Sequence, residues 1–143
     1  MAGSAAARKP GEAATIAAVS AGGVIGAMSR HLLTEVFPHA PGTFAWVTFW
    51  INVAGCFLIG VLMIVVTETG RAHPLARPFL GVGVLGGFTT FSAYTVDALA
   101  ALRAGSVPGA LAYLGGTLVA ALVAVSLAVV LTRRLFGIGR SRP

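Results

Sequence analysis

Seven consecutive residues, Gly86-Gly87-Phe88-Thr89-Thr90-Phe91-Ser92, set two glycines, three hydroxyls and two aromatic rings inside a stretch that is otherwise apolar. Glycines loosen a helix, and in hydrocarbon every backbone N–H and C=O that a break releases needs another partner. Such a segment is tolerated only where protein buries it or where it lines a wet cavity, so it marks a place where something small and polar is handled. Two chemistries are open to it. Carbonyls freed near Gly86 and Thr89 suit a small hard cation such as Na⁺, although one chain offers too few oxygens and a second copy crossing at this point would double them. Phe91 and Tyr94 lie three residues apart on one helix face, with Phe88 another three residues earlier. Their ring edges carry partial positive charge and can face an anion without the deep trap that a lysine would make. Packing is the plainer reading of an aromatic stripe; the adjacent break is what favours the anion.

Asn52 lies near the middle of another apolar stretch, where an unpartnered amide is costly. Its donors and acceptor suit either a helix-to-helix hydrogen bond or an anion that must shed water, and the residue alone does not choose. Arg30, at the end of the first apolar stretch, either concentrates anions by its field or snorkels to the headgroups, and the first reading is preferred. Asp97, about two turns after the break, suits a functional or a structural partner equally well. Tyr113 and Thr117 fall one helical turn apart and would extend a line of hydroxyl donors, although many membrane-helix hydroxyls bond only to their own backbone. The single cysteine, Cys56, excludes a disulfide within the chain and a cysteine-based zinc site, and reads as a small hydrophobe. His31, His39 and His73 fall at span ends or in loops, with no spacing that sets two on one helix face.

Helices must hold these residues, and the composition says in what solvent. The chain of 143 residues is 57% hydrophobic and 10% charged, and its mean hydropathy is +0.90, the balance of an integral membrane protein. Apolar stretches cover residues 13–33, 44–67, 75–102 and 107–132, each about the 20 residues that cross a bilayer core. The expectation is one all-α domain of four transmembrane helices with short basic tails, the third helix broken near its middle. Arg8 and Lys9 before an alanine-rich run resemble a signal peptide. Gly22, Gly23, Gly26, Ala27 and Arg30 fit a close helix-contact surface better.

The net charge of +6 is unevenly spread. Arg8, Lys9, Arg71, Arg77, Arg133, Arg134, Arg140 and Arg142 fall on one side of a four-span arrangement, and Arg30 and Arg103 on the other. Lysines and arginines are retained on the cytoplasmic side, so both termini are expected there. Cations scattered among apolar spans do not form a nucleic-acid tract.

The third-span motif resembles the Gly-Gly-x-Thr-Thr-Phe-Ser signature of the Fluc-type fluoride channels, the CrcB family, and the likeness runs through all four spans. Trp46, Thr48, Asn52, Gly55, Phe57 and Gly60 match the second-span pattern, and Gly22, Gly23, Gly26, Ala27 and Arg30 the first. The resemblance implies an antiparallel dimer of four-helix subunits in the cell membrane, two fluoride pores, and a central structural Na⁺ on the backbone carbonyls of Gly86 and Thr89. It implies Asn52 as the pore amide, Phe91 and Tyr94 as ring edges along the fluoride path, Arg30 as the vestibule cation, and Ser92, Tyr113 and Thr117 as a hydroxyl track. Asp97 falls where the family usually has a glutamate. Three departures stand out: Val47 replaces a common glycine, Tyr94 replaces a common phenylalanine, and the charge bias is the third. Homodimeric members insert both ways with balanced charge, whereas this chain's bias predicts one orientation and favours a heterodimer with an oppositely oriented paralogue.

The expected activity is passive export of F⁻, which lowers its cytoplasmic toxicity. The sequence holds no constellation of nucleophile, base and orienting group, so no enzyme is expected. One alternative is a non-conducting or half-functional partner subunit. A less favoured one is a proton-coupled four-span exporter, for which Asp97 is the sole intraspan carboxylate candidate.

Overall fold

The computed structural model describes residues 10–40, 42–68 and 73–137. Four helices long and apolar enough to cross a membrane account for nearly all of them, with no strand among the described residues. They are α1 (Glu12–Val36), α2 (Trp46–Glu68), a third span in two pieces, and α5 (Val107–Leu135). The third span opens with a π-helical segment, Arg77–Leu85, which runs into a single α turn, Gly86–Phe88; the two together are α3 here. After three non-helical residues the span resumes as α4 (Ser92–Arg103). Glu12 sits favourably at the positive end of α1, and Pro108 starts α5, where its missing N–H costs nothing. Gly105, at φ 80°, makes the tight turn between α4 and α5 in a conformation that L side chains rarely adopt.

The helices pair by what small residues permit. A Cβ on Gly22 or Gly26 of α1 would collide with the carbonyl oxygens of Phe79 and Val84 respectively, and one on Gly83 would lie 2.8 Å from the Val19 oxygen. A Cβ on Gly87 would strike the Gly23 carbonyl. Spacings of four on both helices thus make a backbone-to-backbone seam between α1 and α3, as small residues do in lipid. Gly60 does the same for α2 and α5, since a Cβ there would lie 2.8 Å from Ala128 Cβ and 2.9 Å from the Val125 oxygen. α4 leaves α1 behind and packs on α5. The third span therefore changes partner at its break.

Little side-chain core exists. Between 6% and 22% of each span's most apolar window is buried, so lipid or a second subunit must cover the rest. At one end Ala45, Ala98 and Tyr113 cluster with Phe44, Phe49, Tyr94 and Leu114. At the other end Arg133 Nε donates to both oxygens of Glu68, at 3.0 and 3.2 Å, tying the end of α2 to the end of α5. Arg77 and Arg134 lie at that same end and Arg103 at the opposite one, as the charge pattern requires. Arg8, Lys9, Arg71, Arg140 and Arg142 lie outside the described residues.

Candidate functional site

The break is built by Thr89, Thr90 and Asn52. Thr89 still donates its N–H to the Leu85 carbonyl at 3.0 Å, and its hydroxyl donates to the same oxygen at 2.9 Å. Its ψ of 156° then turns the chain out of the helix. Gly55 of α2 makes room for this, because a Cβ there would collide with the Thr89 methyl. The Thr90 N–H donates to Asn52 Oδ1 at 2.9 Å, and Asn52 Nδ2 donates back to the Thr90 carbonyl at 2.9 Å. One amide thus satisfies both backbone groups of Thr90, each of which would cost about 1–3 kcal/mol if stranded. Thr90 Oγ1 accepts the Ala93 N–H at 3.1 Å and restarts the helix, with the Ser92 hydroxyl 3.2 Å away.

These bonds also decide which carbonyls remain free. In a continuous helix the Thr90 and Ala93 N–H groups would serve the carbonyls of Gly86 and Thr89. Both donors are diverted, the first to Asn52 and the second to Thr90 Oγ1. The two carbonyl oxygens left without a helical donor at Gly86 and Thr89 are of the kind that fits a hard cation.

Against the break lies a groove of about 350 Å³ between α2 and α5. Asn52 and Cys56 form one wall, Thr89, Thr90 and Phe91 the head, and Tyr94 and Thr117 the rest of its polar lining. Asn52 spends one N–H on Thr90, which leaves the other for the groove. Thr117 is only 4% exposed, yet its hydroxyl has no hydrogen-bond partner among the described residues. A buried orphan hydroxyl is costly and calls for a visitor or water to meet it. Phe91 is 77% exposed, and its ring meets Tyr94 at 5.7 Å between centroids.

Of the seven residues read from sequence as the anion path, Asn52, Phe91, Tyr94 and Thr117 meet in one groove, with Thr89 at its head; Ser92, Arg30 and Tyr113 stand around it. Ser92 touches the head of the break through Thr90. Arg30 Nε donates to the Gly87 carbonyl at 3.2 Å, so it straps α1 to α3 just before the break. Tyr113 is buried and donates to Asp97 Oδ2 at 3.3 Å, facing a separate cavity of about 110 Å³. Asp97 also lies 3.5 Å from His39 Nε2, a partner that sequence spacing did not reveal. The Tyr94 hydroxyl donates to the Leu114 carbonyl at 2.7 Å, so it braces α4 on α5 and does not point its proton into the groove.

One expectation needs correction. Phe88 does not continue the stripe of Phe91 and Tyr94, because the helix breaks between them; it faces another cavity with Val47, Trp46 and Trp50. Cys56 is half-buried and also lines the groove. Its position four residues from Asn52 was the available clue, since residues so spaced share a helix face.

Four apolar helices that hold a groove with a few polar groups against a helix break define a multi-pass membrane protein. The chain belongs to the CrcB family: the family described as "CrcB-like protein, Camphor Resistance (CrcB)" matches residues 17–129. It is similar to "Fluoride-specific ion channel FluC 2" of Nocardia farcinica, at 49% identity over 131 residues, covering 92% of this chain and 94% of that one. It is also 48% identical over 124 residues to "Fluoride-specific ion channel FluC 1" of Streptomyces coelicolor, covering 87% and 80% of the two chains. "Fluoride-specific ion channel FluC 2" of Thermobifida fusca is 51% identical over 120 residues, covering 84% and 89%.

Proposed function

We propose that this chain is a subunit of a fluoride channel that lets F⁻ leave the cell passively, and that the groove beside the break is its half of the ion path. The observation that supports this most strongly is the orphan Thr117 hydroxyl, buried beside the spare amide N–H of Asn52 and the open ring of Phe91. Fluoride is small and holds its water tightly, so a path must replace that water with donors. Asn52 Nδ2, Thr117 Oγ1 and the ring edges of Phe91 and Tyr94 are donors of that kind. None is a full positive charge, so the ion is bound without being trapped. Arg30 supplies a longer-range field from beside Gly87, and Ser92 adds a hydroxyl at the head of the break, whereas Tyr113 spends its proton on Asp97 outside the groove. No bond is made or broken along this path, and the chain acts as a conduit, not an enzyme.

The channel is completed by a second, antiparallel subunit in the plasma membrane, or the inner membrane where there are two. The freed carbonyls of Gly86 and Thr89 would hold a structural Na⁺ shared with the partner's equivalents, and such an ion would supply fixed positive charge where two breaks cross. The bias of Lys and Arg sets both termini in the cytoplasm and so favours an oppositely inserted paralogue over a second copy. Streptomyces avermitilis carries relatives numbered FluC 2 and FluC 3, at 51% and 41% identity to this chain, which agrees with members working in sets.

A fluoride electrode tests the proposal directly. Liposomes holding KF and this chain, alone or with the paralogue, should release fluoride when a potassium ionophore removes the voltage barrier. Release only with both chains would mark this one as an obligate partner; sealed vesicles in both cases would reject the channel.

A further inference from the structure

Cys56 follows Asn52 by four residues on α2 and lines the same groove, with no hydrogen bond to its thiol among the described residues. That spacing stacks the two side chains on one helix face, so the thiol is the next step along the wall from the amide that clamps the break. Opposite stand Thr117 and, one turn further, Ala121 of α5. Thr117 Oγ1 is buried and unpartnered, so this stretch of wall carries a polar demand that the chain does not meet by itself.

We propose that Cys56 is a wall residue of the ion path and a modification site at which a small thiol-reactive molecule closes it. The inference rests on the fluoride-channel reading above and adds a residue and a ligand class to it. Thiolate is the nucleophile, and it forms only where water reaches the sulfur, so a thiol facing acyl chains would stay inert while one facing an ion path reacts. With methyl methanethiosulfonate, a disulfide forms between Cys56 Sγ and the reagent's methylthio sulfur. The reagent's bond to its sulfonyl group breaks, methanesulfinate leaves, and the thiol proton passes to water. The added methylthio group then occupies the groove beside Asn52 and Thr117. No other cysteine in the chain competes for the reagent.

The test uses fluoride-conducting proteoliposomes of the full chain, with a cysteine-free paralogue where pairing is required. After treatment, intact-mass spectrometry should show the added methylthio group, and the fluoride efflux rate should fall about tenfold and return with dithiothreitol. Cys56→Ser, compared with its own untreated rate, should be indifferent to the reagent; Cys56→Ala serves the same purpose if the serine variant does not assemble. An unlabelled Cys56, a labelled chain that conducts as before, or a Cys56→Ser chain that the reagent still inhibits would each overturn the proposal. Vesicles that release no fluoride before treatment would instead reject the channel reading and remove the basis of this one with it.

Discussion

The α1–α3 seam and the groove at the break lie within two turns of each other on the third span, yet they treat space in opposite ways. At the seam, Gly22, Gly26, Gly83 and Gly87 bring two backbones so close that even a methyl group would collide. In the groove, an open ring, a half-buried thiol and an unpartnered hydroxyl surround volume that none of the described residues fills. Both regions are rich in small or polar residues, so composition alone does not separate them. What separates them is satisfaction: the seam completes itself, and the groove leaves demands for something that comes from outside.

Substitutions can break that contrast from either side. The largest effect is expected from Gly26→Ala, whose methyl would meet Val84 and Phe88 backbone atoms; overpacking of this kind costs about 1–3 kcal/mol. Gel filtration in detergent should show loss of the monodisperse species, and an unaltered profile would mean the seam is looser than described. Asn52→Leu should come next, because it strands the Thr90 N–H and C=O and removes a groove donor at once. Its melting temperature should fall by several degrees and its fluoride flux by about tenfold or more; flux equal to wild type would take Asn52 off the path. Phe91→Ala should separate the two readouts, lowering flux severalfold in an electrode assay while barely moving the melting temperature, since the ring is 77% exposed in the subunit. A fall in stability with full flux would make Phe91 a packing residue. Gly23→Ala should do least, because a Cβ there meets nothing within 4 Å; a broken assembly would show a partner subunit pressed against that face.

The four spans and the break were legible in the sequence because hydrocarbon imposes one strong rule on backbone polarity, and Gly86-Gly87 with Thr89-Thr90 violates it in the open. The glycine seam was legible for a similar reason, although Gly23 turned out to contribute its carbonyl and not its empty face. Asn52 was recognisable as costly, but not as the clamp on Thr90, since its partner is backbone 38 residues away. The fate of the Tyr94 hydroxyl was equally hidden: its acceptor is a main-chain carbonyl on α5, which no side-chain pattern announces. Phe88 misled because helical spacing was applied across a point where the helix stops. Local rules thus carried the elements, and long-range pairing to the backbone decided the site.

The most direct measurement of the central claim is fluoride efflux through Thr117→Val, read beside its thermal stability. Valine keeps the shape and removes the unpaired hydroxyl, so a merely structural Thr117 would give a protein of equal or greater stability and unchanged conduction. If the groove is the ion path, the melting temperature holds or rises while fluoride flux drops severalfold. Undiminished flux from a well-folded Thr117→Val channel would contradict the account.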